Sequence, residues 1–303
     1  MSTEQAVRAR LDALRDALQA RHGWTHLEIT VDVDRSTGHL RLRGELAVAR
    51  LFPRVIAAVR EVVPSVEIDT HELRVMAGGR WHALVGPASL QTTCPIVDPT
   101  RRLATELRPE DGPVQRLGER VSAVVVRGRD GTVGWLDEPL GPVVEAPVLV
   151  APHHDDPFAL IDAARPWIGT PYRLGGITTD GIDCSALVQR LCRQTLGIIV
   201  PRHSSDQLQI APRPGEGRGP GDLSFVWSDR EARCHVGIGT GTTVIHASLS
   251  RRRVVEDPHP GFWVDARRTM HVPFAQLLAF GRRTAGAPSL VAAGFLPGAD
   301  GPT

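Results

Sequence analysis

Hydrophobic residues first recur with a helical period. Val7, Leu11, Leu14 and Leu18 follow spacings of four, three and four, with Arg8, Arg10, Asp12, Arg15 and Asp16 between them. That pattern predicts an amphipathic helix over 4–22. From Trp24 the period becomes two. Leu27, Ile29, Val31 and Val33 alternate with polar residues and predict a half-buried strand. Asp34-Arg35-Ser36-Thr37-Gly38-His39 reads as a turn, and Leu40, Leu42 and Leu46 as a second strand. Pro53 opens a helix that Pro64 stops near Val63. Val66 and Ile68, then Leu73 and Val75, make a further strand. Residues 1–85 therefore read as a small α+β domain. No chemistry stands out in it, and its pattern fits a binding or scaffolding module.

Helical periodicity disappears over 90–150. Short apolar segments (Val114 to Leu117, Val121 to Val126, Val133 to Leu136) are separated by polar turns such as Arg129-Asp130-Gly131. A small antiparallel barrel is predicted there. Residues 137–157 are rich in proline and acidic residues and read as a linker. Beyond Pro157 helices and strands mix again. A helix covers Phe158 to Ile168, a glycine-rich loop Gly169 to Asp183, and a helix Cys184 to about Leu196 that Gly197 ends. Strands are expected at Leu223–Trp227, His235–Gly239, Val244–Ala247, Val254–Val255 and Met270–Val272, then a short helix at Ala275–Phe280. The last segment, 286–303, is rich in Ala, Gly and Pro and reads as a loosely held tail.

Composition narrows the function classes. The 303 residues are 42% hydrophobic and 23% charged, ordinary for a globular protein. The net charge of +1 argues against nucleic acid as the main partner. The basic run Arg251-Arg252-Arg253 reads as a solvated loop or strand end. No apolar run is long enough to cross a membrane, and the N-terminus lacks a basic-then-apolar export signal, so the expected location is the cytoplasm. The four cysteines, Cys94, Cys184, Cys192 and Cys234, have no Cys-x-x-Cys spacing and are expected as free thiols. His153-His154-Asp155-Asp156 invites a metal reading. Neighbouring residues on an extended chain point in opposite directions, so an aspartate capping the next helix is the better reading. No metal and no cofactor are expected.

One cysteine differs from the other three. Asp183-Cys184 stands where the glycine-rich loop meets the apolar run Ala186-Leu187-Val188. Asp183 is a good N-cap, which puts Cys184 in the first helical turn, where unpaired N–H groups favour a thiolate. A cysteine hydrolase also needs a base and a group that orients the base. A two-residue turn at Thr240-Gly241 pairs His235 directly with His246 on one face of a hairpin, with Cβ atoms roughly 5 Å apart. One imidazole then serves as base towards Cys184 while the other fixes its tautomer.

Residues 158–260 resemble the NlpC/P60 family of cell-wall peptidases, which have a rearranged papain-like fold. Six blocks carry the resemblance in order: Gly169 to Gly176, Asp183 to Val188, Pro201 to Gln207, Pro220 to Leu223, His235 to Gly239 and Val244 to Ser248. The segment Arg127 to Leu136 is similar to the end of bacterial SH3-like domains, which often precede such catalytic domains. The resemblance implies a papain-like domain over 157–285, after an SH3-like barrel over 90–150. It implies Cys184 as nucleophile, His235 as base and His246 as its orienting residue. The hydroxyl of Tyr172, the one tyrosine of the chain, would help bind the oxyanion with the Cys184 N–H. Asp183, Ser185, Arg202 and Ser204 would contact substrate.

Family members mostly cut the γ-D-glutamyl–L-diamino acid bond of peptidoglycan stem peptides. A subgroup with preceding SH3-like domains acts on free muropeptides with an N-terminal L-Ala, whose ammonium an acidic residue contacts. Glu106, Glu110 and Asp111 are the candidates here. The leading expectation is a cysteine peptidase of that kind, with diaminopimelate or lysine as the diamino acid. The alternatives are an exported wall hydrolase or amidase of the same fold and, further off, a non-catalytic wall-binding protein.

Overall fold

In the computed structural model the described residues form three sheets of three or more strands and one two-stranded ribbon. The structure describes residues 2–22, 26–34, 37–49, 51–94, 103–120, 122–215, 219–227, 234–258 and 268–295. Trp24, Arg35 and Ser36 of the first expected strand and turn, Val121, and 296–303 of the expected tail lie outside them.

The first unit is α1 (Thr3–His22), β1 (Leu27–Val33), β2 (Leu40–Leu46), α2 (Leu51–Val62) and β3 (Ile68–Val75). β1 and β2 form an antiparallel pair, and α2 returns the chain so that β3 lies parallel to β2. Val7, Leu11 and Leu18 of α1 are buried against Leu40, Leu42, Val55 and Val59, as their spacing requires.

Seven strands follow: β4 (Trp81–Leu84), β5 (Ala88–Gln91), β6 (Leu103–Leu107), β7 (Val114–Arg120), β8 (Ala123–Arg127), β9 (Val133–Leu136) and β10 (Leu140–Val144). The Asp130-Gly131 turn joins β8 to β9, with Gly131 at φ 85°. Three expectations are corrected here. The sheet runs β10-β4-β7-β8-β9-β5-β6, and no pairing among the described residues joins β10 to β6, so the expected closed barrel is not found. The sheet also begins at Trp81, inside the segment assigned to the first domain. Finally, Leu140–Val144 is an edge strand rather than linker, a position that tolerates Pro142.

The packing explains why the sheet stays open. Cys94, Ala123, Val125, Val133 and Trp135 share one apolar core with the first unit. The edge strand β6 is covered by the loop after Tyr172, where the Glu106 N–H donates to the Gly175 carbonyl at 3.0 Å. Covering an edge satisfies it as well as closure does.

The last unit contains α3 (Pro157–Ala164), β11 (Ile177–Thr178), β12 (Gly181–Ile182), α4 (Cys184–Leu191) and α5 (Ser204–Leu208). After these come β13 (Arg213–Pro214), β14 (Leu223–Trp227), β15 (His235–Gly239), β16 (Thr243–Ser248), β17 (Arg253–Pro258), β18 (Arg268–Val272) and α6 (Phe274–Thr284). Asp156 caps α3 by accepting from the Phe158 N–H at 2.9 Å. The sheet order is β13-β18-β14-β15-β16-β17. Ala186, Leu187, Val188 and Leu191 of α4 share a core with Phe225, Val236, Ile238 and Ile245 of this sheet. The helix is shorter than expected: residues 192–196 widen into a π-helical turn before Gly197 ends it at φ 76°. The start of the expected loose tail is packed. Leu290 is fully buried, its N–H donates to the Arg129 carbonyl at 2.8 Å, and Phe295 meets Phe280 edge-on.

Polar contacts fasten the seven-stranded sheet to the last unit. Arg190 grips Asp111 with two bonds, of 2.7 and 3.2 Å, and Arg193 donates to the same carboxylate. Gln189 donates to Asp130 at 2.8 Å and Arg202 to Thr105 Oγ1 at 2.7 Å. Asp111 is thus a shared anchor for two cations. Its replacement by alanine is expected to lower stability by about 3 kcal/mol, because two largely covered guanidinium groups lose their counter-ion. Urea denaturation checks this against Asp162→Ala, which removes an exposed pair with Arg165 and should cost under about 1 kcal/mol.

Candidate active site

The site is assembled from the start of α4 and one face of the last sheet. Asp183 has extended backbone and caps α4 by accepting from the Ala186 N–H at 2.9 Å, so Cys184 is the first helical residue, as expected. The same carboxylate accepts from the Gly175 N–H at 2.8 Å, from the Ser185 hydroxyl at 3.1 Å and from two nitrogens of Arg202 at 2.9 and 2.6 Å. Arg202 also donates to Ser185 Oγ at 3.0 Å. Burial alone would raise the Asp183 pKa, but the charge and hydrogen bonds of Arg202 outweigh it and hold the carboxylate below its ordinary value.

Of the residues expected to touch substrate, Asp183 and Arg202 are 3% and 2% exposed. Ser185 and Ser204 are buried too. The Ser204 hydroxyl donates to the Cys234 carbonyl, one residue before His235. The hydrogen bonds these four make tie the cysteine helix and the histidine strand to their surroundings. Gln207, fully buried, adds a bond from Nε2 to the Ser185 carbonyl at 2.9 Å.

Tyr172 is fixed by its backbone. Its N–H donates to the Arg252 carbonyl at 2.9 Å, and it bridges in parallel to Ile182, two residues before Cys184. Arg252 adopts φ 57° in the turn between β16 and β17. The basic run is therefore part of the site's frame as well as a charged loop.

The two histidines meet, though in a register two residues away from the expected one. Ile238 pairs with Ile245 and Gly239 with Val244, so the two-residue turn is Gly241-Thr242. The Thr240 N–H closes it on the Thr243 carbonyl at 2.9 Å. A shift of two preserves the face. His235 and His246 become diagonal neighbours, with ring centroids 4.9 Å apart and His235 Nε2 at 2.8 Å from His246 Nδ1. Gly237 makes the diagonal possible. A Cβ there would lie 2.4 Å from Val244 Cγ1 and 3.0 Å from His246 Cβ.

The row continues past the expected residues. Asp257 on β17 places Oδ2 at 3.3 Å from His246 Nε2, and Arg251 holds its other oxygen at 3.1 Å. The expected strand stopped at Val255, which hid this carboxylate. Its signal was still present: His235, His246 and Asp257 recur at equal intervals of eleven residues on three successive strands.

Burial dominates the electrostatics. It pushes the Cys184 thiol up to about 12, the Asp183 charge adds to the rise, and the Val236 N–H acts in the opposite direction. Burial brings His235 down to about 4 against the opposing pull of Asp183. It brings His246 to about 2, helped by His235 and Arg251. The helix start was expected to favour a thiolate. Against that tendency stand the loss of solvation and the Asp183 charge, both of which favour the neutral thiol. Cys94, Cys192 and Cys234 are buried free thiols. Among the described residues no group of three His, Cys, Asp or Glu side chains is arranged to hold a metal ion.

Comparison with known proteins agrees with this arrangement. The model of the NlpC/P60 family matches residues 169–272. A probable endopeptidase of Haemophilus influenzae is 31% identical over 110 residues, covering 35% of this chain and 68% of the relative. The chain belongs to the NlpC/P60 family. The murein DD-endopeptidase MepS/murein LD-carboxypeptidase of Escherichia coli K12 is 33% identical over 117 residues, 37% of this chain and 62% of that protein. A γ-DL-glutamyl hydrolase of Bacillus subtilis is 32% identical over 108 residues, 34% of this chain and 26% of that protein. The chain spans about three-fifths of the length of the Escherichia coli relative. The matched NlpC/P60 region contains Cys184, His235, His246 and Asp257, and the first unit and the seven-stranded sheet lie outside it.

A raised thiol pKa has a measurable consequence. Alkylation of Cys184 by iodoacetamide is expected to be slow at pH 7 and to rise about tenfold per pH unit up to pH 10, tracking the thiolate fraction. Mass-spectrometric rates across that range check it. A plateau already reached below pH 7 would show a preformed ion pair instead.

Proposed function

We propose that this NlpC/P60 protein is a cysteine peptidase that hydrolyses the γ-D-glutamyl–L-diamino acid bond of peptidoglycan-derived peptides. Its proposed substrates are free muropeptides with an N-terminal L-Ala and diaminopimelate or lysine as the diamino acid, and its proposed location is the cytoplasm. The observation that carries the reading is the 2.8 Å contact between His235 and His246, in the unit whose capped helix α4 begins at Cys184.

The chemistry starts from a thiol whose ionisation is opposed by burial and by Asp183. His235 removes the Sγ proton as the sulfur attacks the γ-carbonyl carbon, so charge separation develops only with bond formation. The Cys184 N–H, which lacks a helical acceptor in the first turn, and the Tyr172 hydroxyl are the proposed oxyanion donors. The His235 imidazolium then gives its proton to the leaving α-amine of the diamino acid. Water activated by the same ring hydrolyses the thioester and regenerates the thiol.

Glu106 is the proposed acceptor for the substrate ammonium. Of the three acidic candidates, Asp111 is occupied by Arg190 and Arg193, and Glu110 is exposed on a 3-10 turn. Glu106 borders the loop that carries Gly175 and Asp183's contact to it, is 18% exposed at its side chain, and pairs with Arg173 at 2.6 Å. The reading of the bond draws further support from the relative named a γ-DL-glutamyl hydrolase.

Digestion of L-Ala-γ-D-Glu-meso-diaminopimelate beside its N-acetylated form tests the proposal by mass spectrometry. Cleavage of the free peptide, abolished by Cys184→Ala, is expected. Cleavage of intact sacculi in preference to either peptide would favour the wall-hydrolase alternative. With the free peptide, Glu106→Gln is expected to lower kcat/KM about 10- to 100-fold, the size of a lost charge-assisted hydrogen bond, and to narrow the preference over the N-acetylated peptide. An unchanged preference would remove Glu106 from the ammonium site.

A further inference from the structure

Asp257 stands at the end of a directed row. The carboxylate, held by Arg251 through Oδ1, can only accept a hydrogen bond. The nitrogen it faces, His246 Nε2, must therefore carry the proton. A neutral imidazole has one N–H, so His246 Nδ1 presents a lone pair, and that lone pair faces His235 Nε2 at 2.8 Å. His235 in turn must donate from Nε2. Its own lone pair is thereby placed on Nδ1, the nitrogen turned away from His246, which is the tautomer a base towards a thiol requires. Reversing the row reverses its end: a proton on His246 Nδ1 would force one onto His235 Nδ1 and leave it no lone pair for a thiol proton.

From this geometry we infer that Asp257 is a positioning residue that sets the tautomers of both histidines and so leaves His235 in its basic form towards Cys184. The inference rests on the peptidase reading for its catalytic consequence but not for the tautomers themselves. No atom moves between Asp257 and the rings in the resting protein. During attack the thiol proton passes to His235 Nδ1, and the resulting imidazolium keeps its Nε2–H directed at the His246 lone pair. Asp183, whose charge also acts on His235, favours that imidazolium. The frame is rigid: His246 is 5% exposed, Asp257 is buried, and both belong to paired strands with Val244 opposite Asp257.

The test uses the full chain labelled with 15N-histidine. Long-range 1H–15N spectra report which ring nitrogen is protonated, with no substrate present. Wild type is expected to show Nε2–H on both His235 and His246. Asp257→Ala is expected to move His246, and His235 with it, towards Nδ1–H, to lower kcat about 10- to 100-fold on a peptide that wild type cleaves, and to leave KM within twofold. Asp257→Glu should restore both readouts in part. An Nδ1–H signal on either histidine of wild type overturns the inference whatever the variants do, so misfolding of Asp257→Ala cannot rescue it. So does a variant that keeps the wild-type tautomers, or one whose kcat stays within twofold of wild type despite altered tautomers. If wild type cleaves none of the peptides, the peptidase reading fails on its own, and the tautomer spectra still decide what Asp257 sets.

Discussion

The buried ion pair between Asp183 and Arg202 is the interaction on which the site depends. An isolated charge in such a position would cost several kcal/mol, so each partner makes the other tolerable. The pair does more than cancel charge. Asp183 spends its acceptor capacity on the start of α4 and on the glycine loop, while Arg202 reaches across to Thr105 in the seven-stranded sheet. The cysteine, the loop beside it and the neighbouring sheet are therefore located by one set of bonds. Losing either partner would leave the other charged and buried at the point where the nucleophile emerges.

That pair also shapes the reactivity of the cysteine. A carboxylate next to a thiol opposes ionisation, and burial opposes it further. The favourable partial charge of the helix start acts against both. A site that disfavours a standing thiolate–imidazolium pair needs its base correctly protonated at the moment of attack. The orientation of His235 and the identity of its protonated nitrogen thus carry more weight here than in a site with a standing ion pair. A sheet supplies that control well, since diagonal neighbours on paired strands have little freedom to rotate.

Much of this was legible in the sequence, for physical reasons that differ by residue. The cap at Asp183 follows from local chemistry, and so it formed as expected. The two histidines lie on alternate positions of adjacent strands, and alternation survives a register error of two. Thr240 illustrates the error: its N–H donates to the Thr243 carbonyl and its hydroxyl accepts from the Thr243 N–H, so the bend falls on Gly241-Thr242, one residue beyond the expected Thr240-Gly241. The open sheet was not legible. Whether a set of short strands closes or stays open depends on what covers its edges. Here Gly175 covers β6 and the first unit covers one face, both long-range contacts without a local signal. Asp111 and Asp130, which bind the sheet to the last unit, are hidden in the same way.

Asp257 marks the boundary between the two kinds of information. Its residue type, in a run of acidic and basic side chains, suggests only solvated surface. Its position in a strand two residues beyond the direct neighbour of His246 gives it a different meaning. The interval of eleven that links it to His246 and His235 arises because two successive hairpins each advance the face by the same step. Equal steps across three strands produce a straight diagonal of polar groups on a sheet that buries Leu223, Phe225, Val236, Ile238 and Ile245. A lone carboxylate there would be expelled to solvent. One that ends a row of two imidazoles, with an arginine beyond it, has a partner on each side, and that is the condition under which a fold can keep a charge so close to its core.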